Sequence, residues 1–128
     1  MFLCVANSAR SQMAEGLARA MAPPEQGYRF FSAGSQPGTL NPMAVRALAE
    51  QAIDISRHRA KGLDDVPLAE ADVIVTLCAE EVCPFMPGAV QRLHWPLPDP
   101  TDITGFRAAR DELRRLLPAL WSVQPKVR

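Results

Sequence analysis

Short apolar runs alternate along this chain with longer segments of helical periodicity. Continuous apolar or β-branched runs are typical of strands that are covered on both faces. The pattern predicts four strands, at residues 1–5, 28–34, 72–78 and 90–94. The run at 72–78 is the clearest of them, because Val73, Ile74 and Val75 stand together.

Three segments carry apolar residues at helical spacing. Met13, Leu17 and Met21 recur at i, i+4 and i+8, which predicts a helix over residues 11–21. Asn41 and Pro42 are typical of a helix start, as cap and first-turn residue, in a helix that runs to about residue 51. A last helix is predicted over residues 105–117. The apolar faces of the second and last helices are supplied by Ala44, Val45, Leu48, Ala49, Phe106, Leu113, Leu116 and Leu117.

The remaining segments are shorter or richer in proline. Residues 53–56 alternate like a short extended piece, and residues 64–70 are expected to form a short helix. Residues 79–88 and 96–100 contain prolines and are predicted to be loops, the first of them mobile. The tail from residue 123 is expected to fray.

Strands that alternate with helices indicate right-handed crossovers and a parallel sheet. The sequence therefore predicts an α/β fold of the flavodoxin-like, three-layer type with a four-stranded parallel sheet. At 128 residues, the chain is expected to form a single domain over residues 1–128 without metal or disulfide staples.

Composition excludes several functional classes. Lys and Arg number 14 and Asp and Glu number 14, so no general attraction to nucleic acid or to an anionic membrane is expected. No apolar run approaches the roughly 20 residues of a membrane span, and the N-terminus has no signal-type pattern, which favours a cytoplasmic protein. Three cysteines are too few for a secreted disulfide framework and are expected to be reactive. A zinc site is not favoured, because His58 and His94 are the only histidines; both are interpreted as polar surface or loop residues.

The stretch from Cys4 to Ser11 carries the candidate chemistry. It has the pattern Cys-x5-Arg-Ser at a strand-loop-helix joint. Loop amides, the helix N-terminus and a guanidinium together form a cradle for an oxyanion, and the same field favours the thiolate form of Cys4. A Cys that closes an apolar strand is otherwise often a small buried hydrophobe. The predicted oxyanion-binding loop consists of Val5, Ala6, Asn7, Ser8, Ala9 and Arg10.

Residues 4–16 closely resemble the phosphate loop of the low-molecular-weight protein tyrosine phosphatase superfamily, and specifically its thioredoxin-coupled arsenate reductases. The resemblance continues through Phe31-Ser32-Ala33-Gly34, Asn41-Pro42, Asp54-Ile55-Ser56, Val75-Thr76-Leu77-Cys78, His94-Trp95 and Asp99-Pro100. It implies the strand order 2-1-3-4, in which the first and third strands are neighbours. Cys4 and Cys78 end those strands, within plausible reach of a disulfide. Relatives generally carry a few more residues ahead of the loop, so the chain is expected to be trimmed at its start.

The catalytic residues are expected to be Cys4, Arg10, Ser11 and Asp99. Cys4 is the nucleophile, and Arg10 clamps the oxyanion and neutralises its charge. The resemblance implies that Ser11 donates its hydroxyl to Cys4, although Ser11 would also serve as a helix cap. It implies that Asp99 is the general acid, where the simpler interpretation is a turn residue. Asn7 and Ser8 are expected to hold the shape of the loop.

A disulfide relay through Cys4, Cys78 and Cys83 follows from the same resemblance. Cys78 would attack Cys4 to expel arsenite, and Cys83 would then attack Cys78. The external reductant would be thioredoxin or a similar dithiol protein, with no tightly bound cofactor. On a helix, i and i+5 lie on different sides, so Cys78 and Cys83 require non-helical backbone between them. The alternatives are a buried core residue for Cys78 and an incidental surface thiol for Cys83.

Two absences favour a small oxyanion over an aryl phosphate. Phosphatases of this fold place an aromatic residue directly after the Asp-Pro pair, where this chain has Thr101, and usually a second Cys where this chain has Ala9.

Two other functions remain open: a phosphatase that uses only Cys4, Arg10 and Asp99, and a non-catalytic oxyanion sensor. The protein is expected to be a monomer.

Some arsenate reductases hold a potassium ion beside the loop. The residues that match its ligands here are Asn7, Glu15 and Ser32, and Lys61 stands where another ligand is an Asp. One hypothesis is that the Lys61 ammonium replaces the cation and pairs with Glu15. The alternative is a solvated Lys on a polar connection, and no metal is expected.

Overall fold

A four-stranded parallel sheet forms the centre of the protein. The computed structural model describes residues 1–79 and 91–123. The strands are β1 (Phe2–Cys4), β2 (Ser32–Gly34), β3 (Val73–Cys78) and β4 (Gln91–Leu97), in the order β2-β1-β3-β4. The helices are α1 (Arg10–Met21), α2 (Pro42–Ala49) and α3 (Ile103–Leu116), with shorter 3-10 turns at Pro24–Gln26, Leu63–Asp65, Leu68–Glu70 and Leu117–Ser122. The predicted fold class and strand order are confirmed.

The two faces of the sheet are covered differently. On one face, Phe2, Val75 and Leu77 pack into the larger core. Each of the three α-helices contributes to this core, for example through Met13, Leu48 and Phe106. On the other face, Leu3, Ala33 and Ile74 pack against a thin layer that includes Leu63, Val66 and Leu68. Helix α1 is buried along Arg10–Ala18, so the helix that follows the loop lies deep in the fold.

Helices α2 and α3 start at polar caps. Asn41 Oδ1 accepts a 2.8 Å hydrogen bond from Met43 N, and Pro42 occupies the first turn, as predicted. Helix α3 begins two residues earlier than predicted, because Asp102 Oδ1 accepts from Gly105 N at 2.8 Å. Within α3, Phe106 and Leu113 are buried and Leu116 is half-buried; Leu117, also buried, opens the following 3-10 turn.

Strand β2 is shorter than the predicted run of residues 28–34. Tyr28 and Phe30 do not belong to the sheet but pack their rings against Trp121, with centroids 5.5 and 6.1 Å from it. The aromatic residues that suggested a strand are therefore half-buried by ring packing, and β2 begins only at Ser32.

Strand β4 is longer than predicted and includes Pro96. The predicted irregular loop over residues 96–100 is wrong at Pro96 and Leu97. Pairing with β3 shifts between Thr76, which faces His94, and Cys78, which faces Leu97. Proline is tolerated in edge strands and at bulges, and β4 supplies both conditions.

One short prediction needs correction. The expected helix over residues 64–70 is divided into two 3-10 turns with Pro67 between them. Residues 53–56 alternate in burial, as expected, with Ile55 buried and Asp54 and Ser56 exposed, and Asp54 Oδ1 accepts from Ser56 N. The start of the fourth predicted strand, all but one residue of the predicted mobile loop at 79–88, and nearly all of the tail lie outside the described residues.

The sheet brings the ends of β1 and β3 to one edge. Phe2 pairs with Val75 and Leu3 with Thr76 in parallel register. Cys4 and Cys78 close these neighbouring strands at their carboxyl ends. In parallel sheets this is the edge at which ligands bind.

Candidate active site

The carbonyl groups of the loop between β1 and α1 point away from its centre. Each of five consecutive carbonyls accepts a hydrogen bond from outside the loop: Val5 O from Gln36 N (2.9 Å), Ala6 O from Gly38 N (2.9 Å), Asn7 O from Gln12 Nε2 (3.2 Å), Ser8 O from Asn41 N (2.8 Å) and Ala9 O from Met13 N (2.9 Å). Because C=O and N–H of a trans peptide point in opposite directions, the following amides face inward. The loop is therefore a nest of N–H donors suited to an oxyanion.

Asn7 holds this loop from within. It is fully buried and has a left-handed backbone with φ of 49°, a conformation that Asn tolerates better than most residues. Its Oδ1 accepts from Lys61 N at 2.9 Å and from Gln12 Nε2 at 2.9 Å. Since a backbone N–H can only donate, Oδ1 is assigned, and Nδ2 must face Ser11.

Ser11 is oriented toward the Cys4 sulfur by this arrangement. Ser11 Oγ accepts a 2.7 Å hydrogen bond from Asn7 Nδ2 and lies 2.9 Å from Cys4 Sγ. Asn7 N also donates to Cys4 Sγ at 3.2 Å. The Ser11 hydroxyl and the Asn7 amide are thus both placed to donate hydrogen bonds to the Cys4 sulfur. The alternative interpretation of Ser11 as a helix cap is wrong, because α1 begins at Arg10 and its cap position is Ala9.

Arg10 is buried at the start of α1 and reaches the ends of β3 and β4. Its Nη1 donates to Leu97 O at 2.8 Å and to Leu77 O at 3.4 Å. Its Nη2 lies 3.8 Å from Asp99 Oδ1, whose side chain is 65% exposed. Arg10, the predicted clamp, and Asp99, the predicted acid, therefore lie together at the carboxyl end of the sheet, where β1 ends at Cys4.

The other two cysteines differ in what the structure describes. Cys78 is buried at the end of β3 and is disulfide-bonded, whereas Cys4 is a free, buried thiol. Cys83 lies outside the described residues, so its place in a relay stays a prediction.

A buried carboxylate lies beside the loop. Glu15 Oε1 accepts a 2.6 Å hydrogen bond from Ser32 Oγ and lies 3.6 Å from Lys61 Nζ. Glu15 Oε2 pairs with Arg19 at 2.9 Å. Lys61 is therefore in contact with Glu15, the arrangement that the cation hypothesis requires.

Sequence reasoning missed Gln12 and its contact with His58. Gln12 is fully buried, and its Nε2 also donates to Arg59 O at 2.8 Å, while its Oε1 lies 3.0 Å from His58 Nδ1. His58 is a loop residue, in agreement with the prediction, but it is half-buried, and burial lowers its pKa. A polar residue in the first turn of a helix that follows a binding loop was the available signal for Gln12. His94, on β4, is 2.7 Å from Thr76 Oγ1 at the exposed surface.

The described part of the chain contains neither a metal-binding cluster nor a membrane-spanning helix. Residues 1–79 and 91–123 contain no group of three or more His, Cys, Asp or Glu side chains placed to hold a metal ion. Among the described helices, none has the length and apolar character needed to cross a membrane.

The family model for low molecular weight phosphotyrosine protein phosphatases matches residues 1–127. The chain belongs to this family. Among curated relatives, the arsenate reductase of Staphylococcus xylosus is 39% identical over 117 residues, which cover 88% of each chain. The arsenate reductase of Bacillus subtilis is 42% identical over 122 residues, covering 88% of this chain and 86% of the relative.

Solved structures of arsenate reductases have the same fold as this chain. The arsenate reductase of Archaeoglobus fulgidus superposes with a TM-score of 0.83 at 30% identity, covering 95% and 98% of the two chains. An arsenate reductase in a phosphate-binding state gives 0.83 at 29% identity, covering 95% of each. The thioredoxin-dependent arsenate reductase of Corynebacterium glutamicum gives 0.72 at 30% identity, covering 94% of this chain and 58% of that one. The resemblance that the motifs indicated is confirmed.

Proposed function

We propose that this protein reduces arsenate to arsenite through a Cys4–arsenate adduct and a disulfide relay from Cys4 to Cys78 and Cys83. Thioredoxin or a similar dithiol protein recharges it. The observation that carries the proposal is the pairing of β1 with β3, which puts Cys4 and Cys78 at the end of neighbouring strands, beside the loop of inward amides. Similarity to arsenate reductases, one of them described as thioredoxin-dependent, supports the same conclusion.

In the first step, the inward amides and Arg10 bind the tetrahedral oxyanion, and the Cys4 thiolate attacks arsenic. One hydroxyl group of the arsenate leaves as water with a proton donated by Asp99. The contact between Arg10 Nη2 and Asp99 supports the role of Asp99 as the acid, because both groups lie at the carboxyl end of the sheet. The hydrogen bond from Ser11 favours the thiolate before attack.

In the second step, the Cys78 thiolate attacks the Cys4 sulfur. The sulfur–arsenic bond breaks and its electron pair stays on arsenic, which leaves as arsenite, while Cys4 and Cys78 form a disulfide. The Cys83 thiolate then attacks the Cys78 sulfur and releases the Cys4 thiolate. An external dithiol finally reduces the Cys78–Cys83 bond. The disulfide-bonded Cys78 and free Cys4 of the structure are compatible with the state that precedes this last reduction.

A phosphomonoesterase that uses Cys4, Arg10 and Asp99 is the second candidate. The contact between Arg10 and Asp99, with Arg10 at the end of the loop that follows Cys4, favours it, because a phosphocysteine could form and be hydrolysed there without another thiol. Thr101, which is exposed directly after Pro100, offers no ring on which an aryl phosphate could stack. Arsenate reduction is therefore the better-supported activity.

Lys61 is proposed to replace a bound cation in this site. Its ammonium lies 3.6 Å from Glu15 and 3.2 Å from Arg59 O, and its side chain is only 16% exposed. A buried carboxylate needs a positive partner, and Lys61 and Arg19 supply two. The external potassium ion of some relatives is then unnecessary.

Mass mapping of disulfides after a single arsenate turnover without reductant tests the relay. The Cys78–Cys83 disulfide is expected to accumulate in the intact protein, and Cys4–Cys78 in the Cys83→Ser variant. Steady turnover of arsenate should require an added dithiol protein. Hydrolysis of an aryl phosphate that survives Cys78→Ser, without arsenite release by the intact protein, would support the phosphatase instead.

A further inference from the structure

One exposed segment supplies most of the hydrogen bonds that turn the loop carbonyls outward. This segment, residues 36–41, is called the strap. It donates three backbone N–H groups, from Gln36 to Val5 O, from Gly38 to Ala6 O and from Asn41 to Ser8 O. Residues 35–39 are exposed and Leu40 packs against the core, so the exposed part of the strap contacts the loop through its backbone amides.

Each of these bonds fixes one peptide plane of the loop. A carbonyl that points to the strap directs the N–H of the next residue to the interior. Ala6 gives an independent check: its carbonyl accepts from Gly38, and the amide of the same peptide unit, Asn7 N, donates to Cys4 Sγ at 3.2 Å. The strap thus governs the amides of Ala6, Asn7 and Ala9.

The base of the strap is built for this close approach. A Cβ atom on Gly34 would lie 2.3 Å from Val5 O and 2.8 Å from Asn7 N, so no larger residue fits without moving the loop. At Gly38 the nearest atoms to a Cβ would be Ala6 Cβ at 3.8 Å and Ala6 O at 3.9 Å, which is ordinary contact. Gly38 therefore tolerates alanine, and its N–H can be tested separately from its size.

We infer that the strap is a positioning element that sets the affinity of the loop for tetrahedral oxyanions. Without its donors, a peptide plane can rotate and present a carbonyl oxygen to the anion, which replaces an attraction by a repulsion. The inference rests on the proposed function, because it requires that the loop binds an oxyanion. It adds residues outside the Cys-x5-Arg stretch whose backbone, not side chains, determines binding.

Protection of Cys4 by inorganic phosphate tests the inference. The full chain is reduced, its Cys4 is alkylated with iodoacetamide at increasing phosphate concentration, and the modified peptide is quantified by mass spectrometry. Gly38→Pro removes the donor to Ala6 O, and Gly38→Ala keeps it. The phosphate dissociation constant is expected to rise about fivefold to tenfold in Gly38→Pro, the equivalent of one net backbone hydrogen bond, and to stay within about twofold of wild type in Gly38→Ala.

Hydrogen exchange of the unchanged protein keeps the inference testable if Gly38→Pro does not fold. The amides of Gln36, Gly38 and Asn41 are expected to exchange slowly, although Gln36 and Gly38 are exposed, and more slowly still with phosphate. Exchange of all three at the same rate with and without phosphate, or equal phosphate affinity in the two Gly38 variants, overturns the role of the strap. Absence of any phosphate protection in the wild type instead overturns the oxyanion site, and the strap role with it.

Discussion

Ser11 Oγ lies 2.9 Å from Cys4 Sγ, within hydrogen-bond distance of that sulfur. Asn7 Nδ2 donates to the same hydroxyl at 2.7 Å, which leaves the hydroxyl hydrogen of Ser11 available to a thiolate at Cys4. A thiolate at Cys4 therefore finds a donor already in place before any ligand arrives. Both residues are buried, which makes this bond stronger than one in water.

Ser11→Ala is expected to slow the reaction of Cys4 with iodoacetamide about tenfold or more at pH 7. A hydrogen bond to a charged group contributes about 1.5–3 kcal/mol, and its loss disfavours the thiolate. The measurement is the alkylation rate of Cys4 by peptide mass spectrometry. Ser8→Ala is the matched control: Ser8 lies in the same loop, and within the described residues its hydroxyl makes no hydrogen bond to Cys4. Equal rates in the two variants would argue against the role of Ser11.

The contribution of Asn7 to the stability of the protein can be divided into a backbone part and a side-chain part. Glycine tolerates the φ of 49° at residue 7, so Asn7→Gly removes only the side chain. Gln12, Ser11 and Lys61 then lose their hydrogen bonds to that side chain, and the free energy of unfolding should fall by about 2–4 kcal/mol. Asn7→Ala adds the strain of a left-handed backbone, about 1 kcal/mol more. Urea unfolding of the three proteins measures both. If Asn7→Ala is the more stable variant, the backbone at residue 7 is not left-handed in solution.

Lys61→Asp should make arsenate turnover depend on potassium. The substitution removes the ammonium that lies 3.6 Å from Glu15 and puts a carboxylate beside another, which creates a need for a cation. Activity is measured in potassium and in tetramethylammonium salts at equal ionic strength. Arg19→Met is the control, because Arg19 pairs with the same carboxylate from a side chain that is 51% exposed, and it should change the potassium dependence little. No gain of potassium dependence in Lys61→Asp would count against the hypothesis.

Glu50 should stabilise the protein at neutral pH and lose that effect in acid. The hydrogen bonds from Arg107, which have the largest effect, lower its pKa from 4.5 to about 2; desolvation opposes this shift, and the hydrogen bond from Arg110 adds to it. Because the folded pKa is below the unfolded one, the stabilisation is complete above about pH 4.5 and disappears as pH falls toward 2. Glu50→Gln is expected to lower the melting temperature by a few degrees at pH 7 and by little at pH 2.5.

A matched substitution separates the pairing of Glu50 from a general loss of charge. Glu25 is exposed, in the 3-10 turn at Pro24–Gln26, and the structure gives it no ion pair within the described residues. Glu25→Gln should leave the melting temperature nearly unchanged at both pH values. A pH-independent loss in Glu50→Gln would mean that packing, not charge, is what the substitution removes.

The order of strands and helices was predictable because apolar periodicity reflects which faces are buried. The caps at Asn41 and the Cys4 to Arg10 loop were predictable for a similar reason, since local backbone chemistry determines them. Tyr28 and Phe30 were misinterpreted as strand residues, because their partner Trp121 is more than 90 residues away in sequence. Pro96 was misinterpreted as a loop residue, because the sequence does not show the shift in pairing between β3 and β4 that accommodates a proline within the strand.

The site itself was predictable to the extent that its residues follow a local motif. Gln12 and His58 were missed, because their contact joins α1 to a turn 46 residues later, and no periodicity reports such a pair. The strap was missed for a different reason: it acts through backbone amides, which every residue except proline carries. Side-chain patterns contain no record of where those amides point.

The outer strands of the sheet have a consequence for how copies of the protein meet at high concentration. Within the described residues, β2 offers only three residues at one margin, and β4 at the other carries Pro96 and a shift in pairing. Neither margin presents a long, regular row of free amide and carbonyl groups, which is what strand addition and fibril growth require. In concentrated solution the protein should therefore resist association through its outer strands, although the chain carries no net charge.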